Sequence, residues 1–233
     1  MANKSTGYNI IDYIEVEPHI RFFRIRPTDI KLTLRSVFDS LSNESWIMKL
    51  QDEFLKQTFK VRFQSTIEHL SSKILNADDD DLTSNSAEYV ISEVARSTIV
   101  TQLDYLDIPL AELIREQKSG NPGFDFYSVN KLEIILFGEA KYVAKQNGYG
   151  RALKQMCRFR DEQRDIADLA DIQNFCTKKS CNSVCNGEKG YIAAFSTTQM
   201  KTETLVKNIK ANDDYKRLSS FQELILVAVD ICK

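Results

Sequence analysis

Three residues near the middle of the chain have the types and the spacing of a hydrolytic metal site. Glu139 and Lys141 close an apolar run over residues 132–138, and Asp125 precedes Glu139 by fourteen positions. Side chains two positions apart on a strand point to the same face, so Glu139 and Lys141 are expected side by side. Two carboxylates and an ammonium group in one place can hold a divalent cation and activate a water, which is the chemistry of phosphodiester hydrolysis.

A hairpin would bring the two acids together. If residues 124–128 and 133–141 pair as antiparallel strands around residues 130–132, Asp125 lies opposite Glu139, close enough to share one cation. The predicted ligands are Asp125, Glu139, the carbonyl of Ala140 and waters, and such oxygen ligands suit Mg²⁺ or Mn²⁺. Lys141 is expected to orient or help deprotonate the attacking water. The alternative is a surface ion pair between Glu139 and Lys141 in a non-catalytic scaffold protein.

Hydrophobic spacing predicts an α/β fold. Strands are expected over residues 19–26, 124–129, 131–142, 191–195 and 224–231, and helices over residues 30–41, 44–76 (one helix or two), 87–106 and 151–170. The runs 132–138 and 224–231 are apolar on both faces, as in central strands. The aspartate run at 78–81 is predicted as a solvated loop that joins an N-terminal strand-and-helix region, residues 1–82, to a catalytic region, residues 83–233.

Composition and charge limit the classes of function. Of the 233 residues 42% are hydrophobic and 27% charged, which suits a packed domain, and the formal net charge is −2. A nucleic-acid enzyme with this charge must concentrate its cations locally or borrow them from a partner. The sequence shows neither a membrane-spanning stretch nor a signal peptide, so a cytoplasmic protein is expected.

The order of the candidate residues resembles the PD-(D/E)xK nuclease superfamily. A glutamate on a helix is followed by Gly-x-Asp at residues 123–125, by Glu-x-Lys at residues 139–141 and by a helix with a glutamine. The resemblance implies a restriction-endonuclease-like core, with a central mixed β-sheet flanked by helices, that cleaves DNA with Mg²⁺ or Mn²⁺. It assigns catalytic roles to Asp125, Glu139, Lys141, Gln155 and Glu93.

The helix acid is the least constrained of these assignments. Glu93 follows Ser92, where several families have glycine, and Glu88 on the same helix is the alternative. The family proline is also displaced, since Pro122 stands three positions before Asp125.

Two segments are similar to a narrower family. Residues 118–125 and 136–142 resemble the nuclease subunits of the Hachiman anti-phage system, the DUF1837 family, and the similarity covers about residues 84–160. This resemblance implies a helicase partner, encoded beside the nuclease, that restrains it until phage or damaged DNA engages the complex. A stand-alone type II restriction endonuclease is the alternative within the same fold, and oligomerisation is left open.

Basic residues and cysteines offer two further interpretations. Arg151, Lys154 and Arg158 share one helical face that either binds phosphates or is an ordinary solvated face. Four cysteines could form a thiolate metal site, but their spacing fits no common zinc motif and free thiols are predicted for Cys157, Cys176, Cys181 and Cys185. The two histidines, His19 and His69, are predicted to be structural.

Overall fold

The fold is a mixed α/β sandwich around one six-stranded sheet, as predicted. The computed structural model describes residues 6–74, 84–115 and 123–231, so the aspartate run at 78–81 and residues 116–122 of the glycine- and proline-containing loop lie outside the described residues. The strands are β1 (Tyr8–Glu17), β2 (Ile20–Pro27), β3 (Phe126–Val129), β4 (Ile135–Lys141), β5 (Gly190–Ser196) and β6 (Glu223–Val229).

The sheet has the order β1-β2-β6-β5-β4-β3. Strands β2, β6, β5 and β4 run parallel, while β1 and β3 are antiparallel to their neighbours at the two edges. The predicted central strands, β4 and β6, are interior and buried along nearly their whole length. Because β2 pairs with β6, the N-terminal region contributes β1 and β2 to the same sheet as the strands of residues 83–233.

Helices cover both faces of this sheet. In chain order they are α1 (Ile30–Leu41), α2 (Ser45–Met48), α3 (Glu53–Ile74), α4 (Ser84–Leu103), α5 (Ala111–Ile114), α6 (Tyr149–Asp161), α7 (Arg164–Ile172), α8 (Lys178–Cys185), α9 (Thr202–Ala211) and α10 (Asp213–Leu218). Asp29 caps α1 as its spacing predicts, because its side chain accepts a hydrogen bond from the Leu32 N–H. None of the helices in these ranges is long and apolar enough to cross a membrane.

Several predicted boundaries were wrong. Helix α4 already includes residues 84–86 and ends at Leu103, where Asp104 takes a left-handed backbone conformation with φ 55° that terminates the helix. The helix predicted over residues 151–170 is two helices, because Gln163 is also left-handed, with φ 57°. Strand β1 was not predicted, and β4 begins at Ile135 because residues 130–134 form the hairpin loop.

Candidate active site

The β3–β4 hairpin brings Asp125 close to Glu139. The antiparallel ladder has the predicted register and ends with Phe126 paired to Gly138, so Asp125 lies just beyond its last pair. The Asp125 N–H donates to the Gly138 carbonyl at 2.8 Å, and the Asp125 Oδ2 accepts from the Ala140 N–H at 2.8 Å. These bonds hold Asp125 beside the segment of β4 that carries Glu139. A Cβ on Gly138 would lie 2.5 Å from the Phe126 ring, so glycine is needed where that ring packs on β4.

Glu139 and Lys141 form an ion pair that is buried. The Lys141 Nζ lies 2.8 Å from the Glu139 Oε1, and the two side chains are 17% and 0% exposed. Lys141 thus contacts one carboxylate oxygen of Glu139, whereas Oε2 has no hydrogen-bond or ion-pair partner in the described part of the chain. A surface ion pair is therefore ruled out, and what remains is a buried carboxylate whose second oxygen has no partner among the described residues.

Glu88, rather than Glu93, is the helix acid that faces this pair. The Glu88 Oε1 lies 3.5 Å from the Lys141 Nζ and accepts from the Tyr142 N–H at 3.3 Å. Five positions along a helix turn a side chain well over a third of a circle, so the two glutamates of α4 cannot share one direction. Glu93 instead binds Arg96 at 2.6 Å and Ser40 at 2.6 Å. The structure does not bring Glu93 to Asp125 and Glu139, so its predicted role passes to Glu88.

Burial and mutual repulsion shift the ionisation of the three central groups. Burial raises the pKa of Glu139 well above its usual value, and the nearby Asp125 raises it further. Burial likewise raises the pKa of Asp125 to about 6, although Lys141 and the Ala140 N–H pull it down. Burial opposes the charge on Lys141, but Glu139 and Asp125 outweigh it and raise the pKa of the ammonium. The positive charge of Lys141 therefore does not fully compensate the two buried carboxylates, while Lys141 itself keeps its proton.

These shifts predict how stability depends on pH in metal-free protein. The pKa of Asp125 rises from 3.8 unfolded to about 6 folded, so the folded state binds the proton more tightly and loses stability as pH rises through this window. Asp125→Asn removes that penalty. In chelator, the unfolding free energy of the variant relative to wild type should increase between pH 4 and 6, by at most about 1.4 kcal/mol per pH unit. Urea denaturation at several pH values measures it, and a flat difference would contradict the burial of this charge.

A buried aspartate on α7 holds the backbone beside Asp125. The Asp168 Oδ2 accepts from the Phe124 N–H at 3.0 Å and from the Tyr127 hydroxyl at 2.9 Å, and it pairs with the Arg115 NH2 at 2.6 Å. A Cβ on Gly123 would lie 2.0 Å from Arg115, so the glycine leaves room for the guanidinium. We call Asp168, Arg115 and Tyr127 the Asp168 clamp.

The Asp168 clamp was not among the features predicted from the sequence. Its one available signal is the position of Asp168 on the apolar face of α7, four residues before the buried Ile172.

The other candidates on α6 lie apart from the acids. Gln155 is half-buried, and no polar contact joins it to Asp125, Glu139 or Lys141 within the described ranges. Arg151 and Lys154 are exposed, as is Arg158, which lies 3.8 Å from the Glu162 carboxylate. Helix α6 nevertheless begins beside the site, because a Cβ on its N-cap Gly148 would lie 2.7 Å from the Lys141 carbonyl.

The cysteines do not assemble into one site. Cys157 is buried, and its Sγ contacts the Asp214 carbonyl at 3.7 Å, whereas Cys181 and Cys185 lie on α8. Burial raises the pKa of Cys157 to about 11 and that of Cys176 to about 12, which favours protonated thiols. These four cysteines form no disulfide. His19 is structural, since its Nε2 lies 2.8 Å from the Ser219 carbonyl.

The donors at the hairpin fit a hard cation better than a soft one. In residues 6–74, 84–115 and 123–231, no group of three or more His, Cys, Asp or Glu side chains forms a ready-made metal cluster. Asp125 and the unpartnered Glu139 Oε2 supply two carboxylate oxygens. The Ala140 N–H points at Asp125, and the N–H and C=O of one strand residue point to the same side, so the Ala140 carbonyl faces Asp125 as well. This all-oxygen set suits Mg²⁺ or Mn²⁺ with retained waters.

Comparison with known proteins adds no assignment. No family model matches the chain, and no curated protein or solved structure is similar to it.

Proposed function

We propose that this chain is a metal-dependent deoxyribonuclease. The observation that carries the proposal is the fully buried Glu139 carboxylate, whose Oε2 has no partner among the described residues while Asp125 and Lys141 lie beside it. Burying two carboxylates together is costly unless a cation compensates them. Lys141 supplies one positive charge, and Asp125, Glu139 and the Ala140 carbonyl would hold a divalent cation.

The protein's own groups have separable tasks in phosphodiester hydrolysis. A bound Mg²⁺ or Mn²⁺ would supply positive charge for the phosphate and make water more acidic. Because its pKa is raised, Lys141 donates hydrogen bonds to the attacking water or to a phosphate oxygen and does not act as the base. Glu88 fixes the Lys141 ammonium from α4, and the Asp168 clamp fixes the backbone that carries Asp125.

Exposed cations beside the site support DNA as the substrate. Arg151 lies in the first turn of α6, and Lys154 follows on the same exposed face. The α6 N-terminus adjoins the Lys141 carbonyl, so phosphates near this helix would lie close to the acids. Arg158 is less available because it faces Glu162. The net charge of −2 disfavours tight binding of a DNA duplex by this chain alone. This favours an effector that receives DNA from a helicase partner.

A thermal-shift titration combined with a cleavage assay tests this function. Millimolar Mg²⁺ or Mn²⁺ should raise the melting temperature of the wild type by about 3 °C at ten times the dissociation constant. The same ions should support cleavage of single- or double-stranded DNA, and chelator should abolish it. Asp125→Asn should lose the thermal shift. The matched control is Asp104→Asn, whose exposed carboxylate pairs with Lys131 and should leave the shift unchanged.

Two results would contradict the proposal. A wild-type protein whose melting temperature does not respond to either ion has no such metal site. DNA cleavage that persists in chelator, or that is equal in wild type and Asp125→Asn, belongs to another mechanism or to a contaminant.

A further inference from the structure

A cavity separate from the hairpin is lined by Glu93, the helix acid predicted from the sequence. It has a volume of about 330 Å³ and is enclosed by the end of α1, by α2, by α4 and by the segment that leads into α5. Its size is at the lower end of the range of small-molecule sites in proteins. Asp125, Glu139, Lys141 and Glu88, which form the candidate hydrolytic site, do not line it.

The floor of this cavity is a buried ion pair. The Glu93 and Arg96 side chains are 2% and 10% exposed, and they are joined by two contacts, Arg96 NH2 to Oε1 at 2.6 Å and Arg96 Nε to Oε2 at 2.8 Å. Ser40 donates to the Glu93 Oε1 at 2.6 Å. A buried ion pair adds little to stability, because the cost of removing both charges from water offsets most of their attraction. A buried pair in the wall of a ligand-sized cavity therefore points to recognition.

The wall of the cavity presents a donor next to an acceptor. Besides its two bonds to Glu93, Arg96 donates from NH2 to the Ser40 hydroxyl at 3.2 Å and from NH1 to the Asp107 Oδ1. These four bonds leave one of its five N–H groups over, on NH1. Asp107 is 56% exposed, and its Oδ2 accepts no hydrogen bond within the described part of the chain. An Arg96 N–H and an Asp107 oxygen thus lie side by side at the cavity.

Aromatic rings complete the wall. Trp46 and Phe175 line the cavity, with ring centroids 5.7 Å apart, and the buried Trp46 Nε1–H has no acceptor in the described residues.

We propose that this cavity binds a nucleobase. Each base carries hydrogen-bond donors and acceptors on its edge, which match the Arg96 N–H and the Asp107 carboxylate, and its flat faces suit aromatic and aliphatic walls. The volume admits a base with its sugar. A polyphosphate fits poorly, because the lining carries as many acidic as basic side chains. Arg96 is already paired with Glu93 and Asp107, which leaves Lys49 as the free cation among the lining residues. The base belongs either to a free nucleoside or to an unpaired position of a nucleic-acid strand.

Tryptophan fluorescence offers a direct readout, since Trp46 is the single tryptophan of the chain. Titration of the full chain with adenosine, guanosine, cytidine and thymidine, and separately with a short single-stranded oligonucleotide, should change the emission in a saturable way for at least one base. Asp107→Asn should weaken that binding by about tenfold, the usual effect of losing one good contact to a base edge. The matched control, Asp104→Asn, should bind like the wild type.

The two arms identify the source of the base. Tighter binding of the nucleoside assigns the cavity to a free ligand, and tighter binding of the oligonucleotide assigns it to a base of a strand; either supports the proposal. No saturable change with any probe, checked by calorimetry, overturns it. Equal affinity in wild type and Asp107→Asn, with both proteins folded, places the binding elsewhere and also overturns it. Neither variant alters Asp125 or Glu139, so the result is independent of the hydrolytic site.

Discussion

Replacing Glu139 with glutamine is expected to reduce metal-dependent DNA cleavage more than a hundredfold. Loss of a group that only orients a metal ligand costs about 10- to 100-fold, and loss of the ligand itself should cost more. Glutamine keeps the volume of the side chain and removes a buried charge whose pKa is already raised, so the variant should fold with undiminished stability near pH 8. Initial cleavage rates and thermal melting of the same samples measure the two effects.

A Lys141→Met variant separates the role of Lys141 as hydrogen-bond donor from the role of Glu139 as metal ligand. It should also cleave poorly, because the hydrogen-bond donor is lost. The metal-induced rise in melting temperature should persist or grow, since the ammonium no longer compensates Glu139 and Glu88. Glu139→Gln should lose that rise. The control is Glu133→Gln, on the same hairpin but partly exposed and paired with Lys179, which should cleave normally. Cleavage by Glu139→Gln at the wild-type rate would sink the proposed site.

Of the substitutions proposed for this protein, Asp168→Ala should lower the free energy of unfolding the most. The change leaves the Arg115 guanidinium and the Phe124 N–H without their buried acceptor and removes the closer of two acceptors from the Tyr127 hydroxyl. Removing one partner of a buried, hydrogen-bonded charge costs about 3–5 kcal/mol. For a chain of this size, that loss lowers the melting temperature by about 10 °C or more. Urea and thermal denaturation measure it directly.

Asp171 provides the matched comparison for Asp168. It binds the same guanidinium, Arg115 Nε at 2.8 Å, but its side chain is 41% exposed. Asp171→Ala should therefore cost no more than about 1 kcal/mol. Equal losses from the two alanine variants would show that the Asp168 clamp is no stronger than a surface ion pair.

The sequence was sufficient for the hairpin and insufficient for its surroundings. Period-two alternation and the apolar run over residues 132–138 indicate the register of β3 on β4, so the approach of Asp125 to β4 was predictable. The choice between Glu88 and Glu93 was not, because the rotation of α4 against the sheet is fixed by distant partners such as Ser40. The burial of Asp165 and Asp168 was also not predictable, because acidic side chains on helices usually face solvent; Asp165 accepts from the Tyr191 hydroxyl at 3.0 Å.

The helix break at Gln163 was hidden for a related reason. A left-handed residue is usually signalled by glycine or asparagine, and a glutamine there gives no warning. Strand β1 was missed because a bulge at Ile11 shifts its pairing with β2 and its polar residues interrupt the apolar pattern.

The strand order also determines how late in synthesis the sheet can be completed. Strand β2 pairs with β6, so Ile20 must wait for Leu224, about two hundred residues later, and closing so long a loop costs about 5 kcal/mol of chain entropy. Strand β4, which carries Glu139 and Lys141, gains its parallel neighbour only when β5 has been made. A nascent chain on the ribosome therefore carries its acids on an unfinished sheet. Folding that depends on such long-range pairing is slow, and the sheet that carries the candidate site is completed only after β6 has been made.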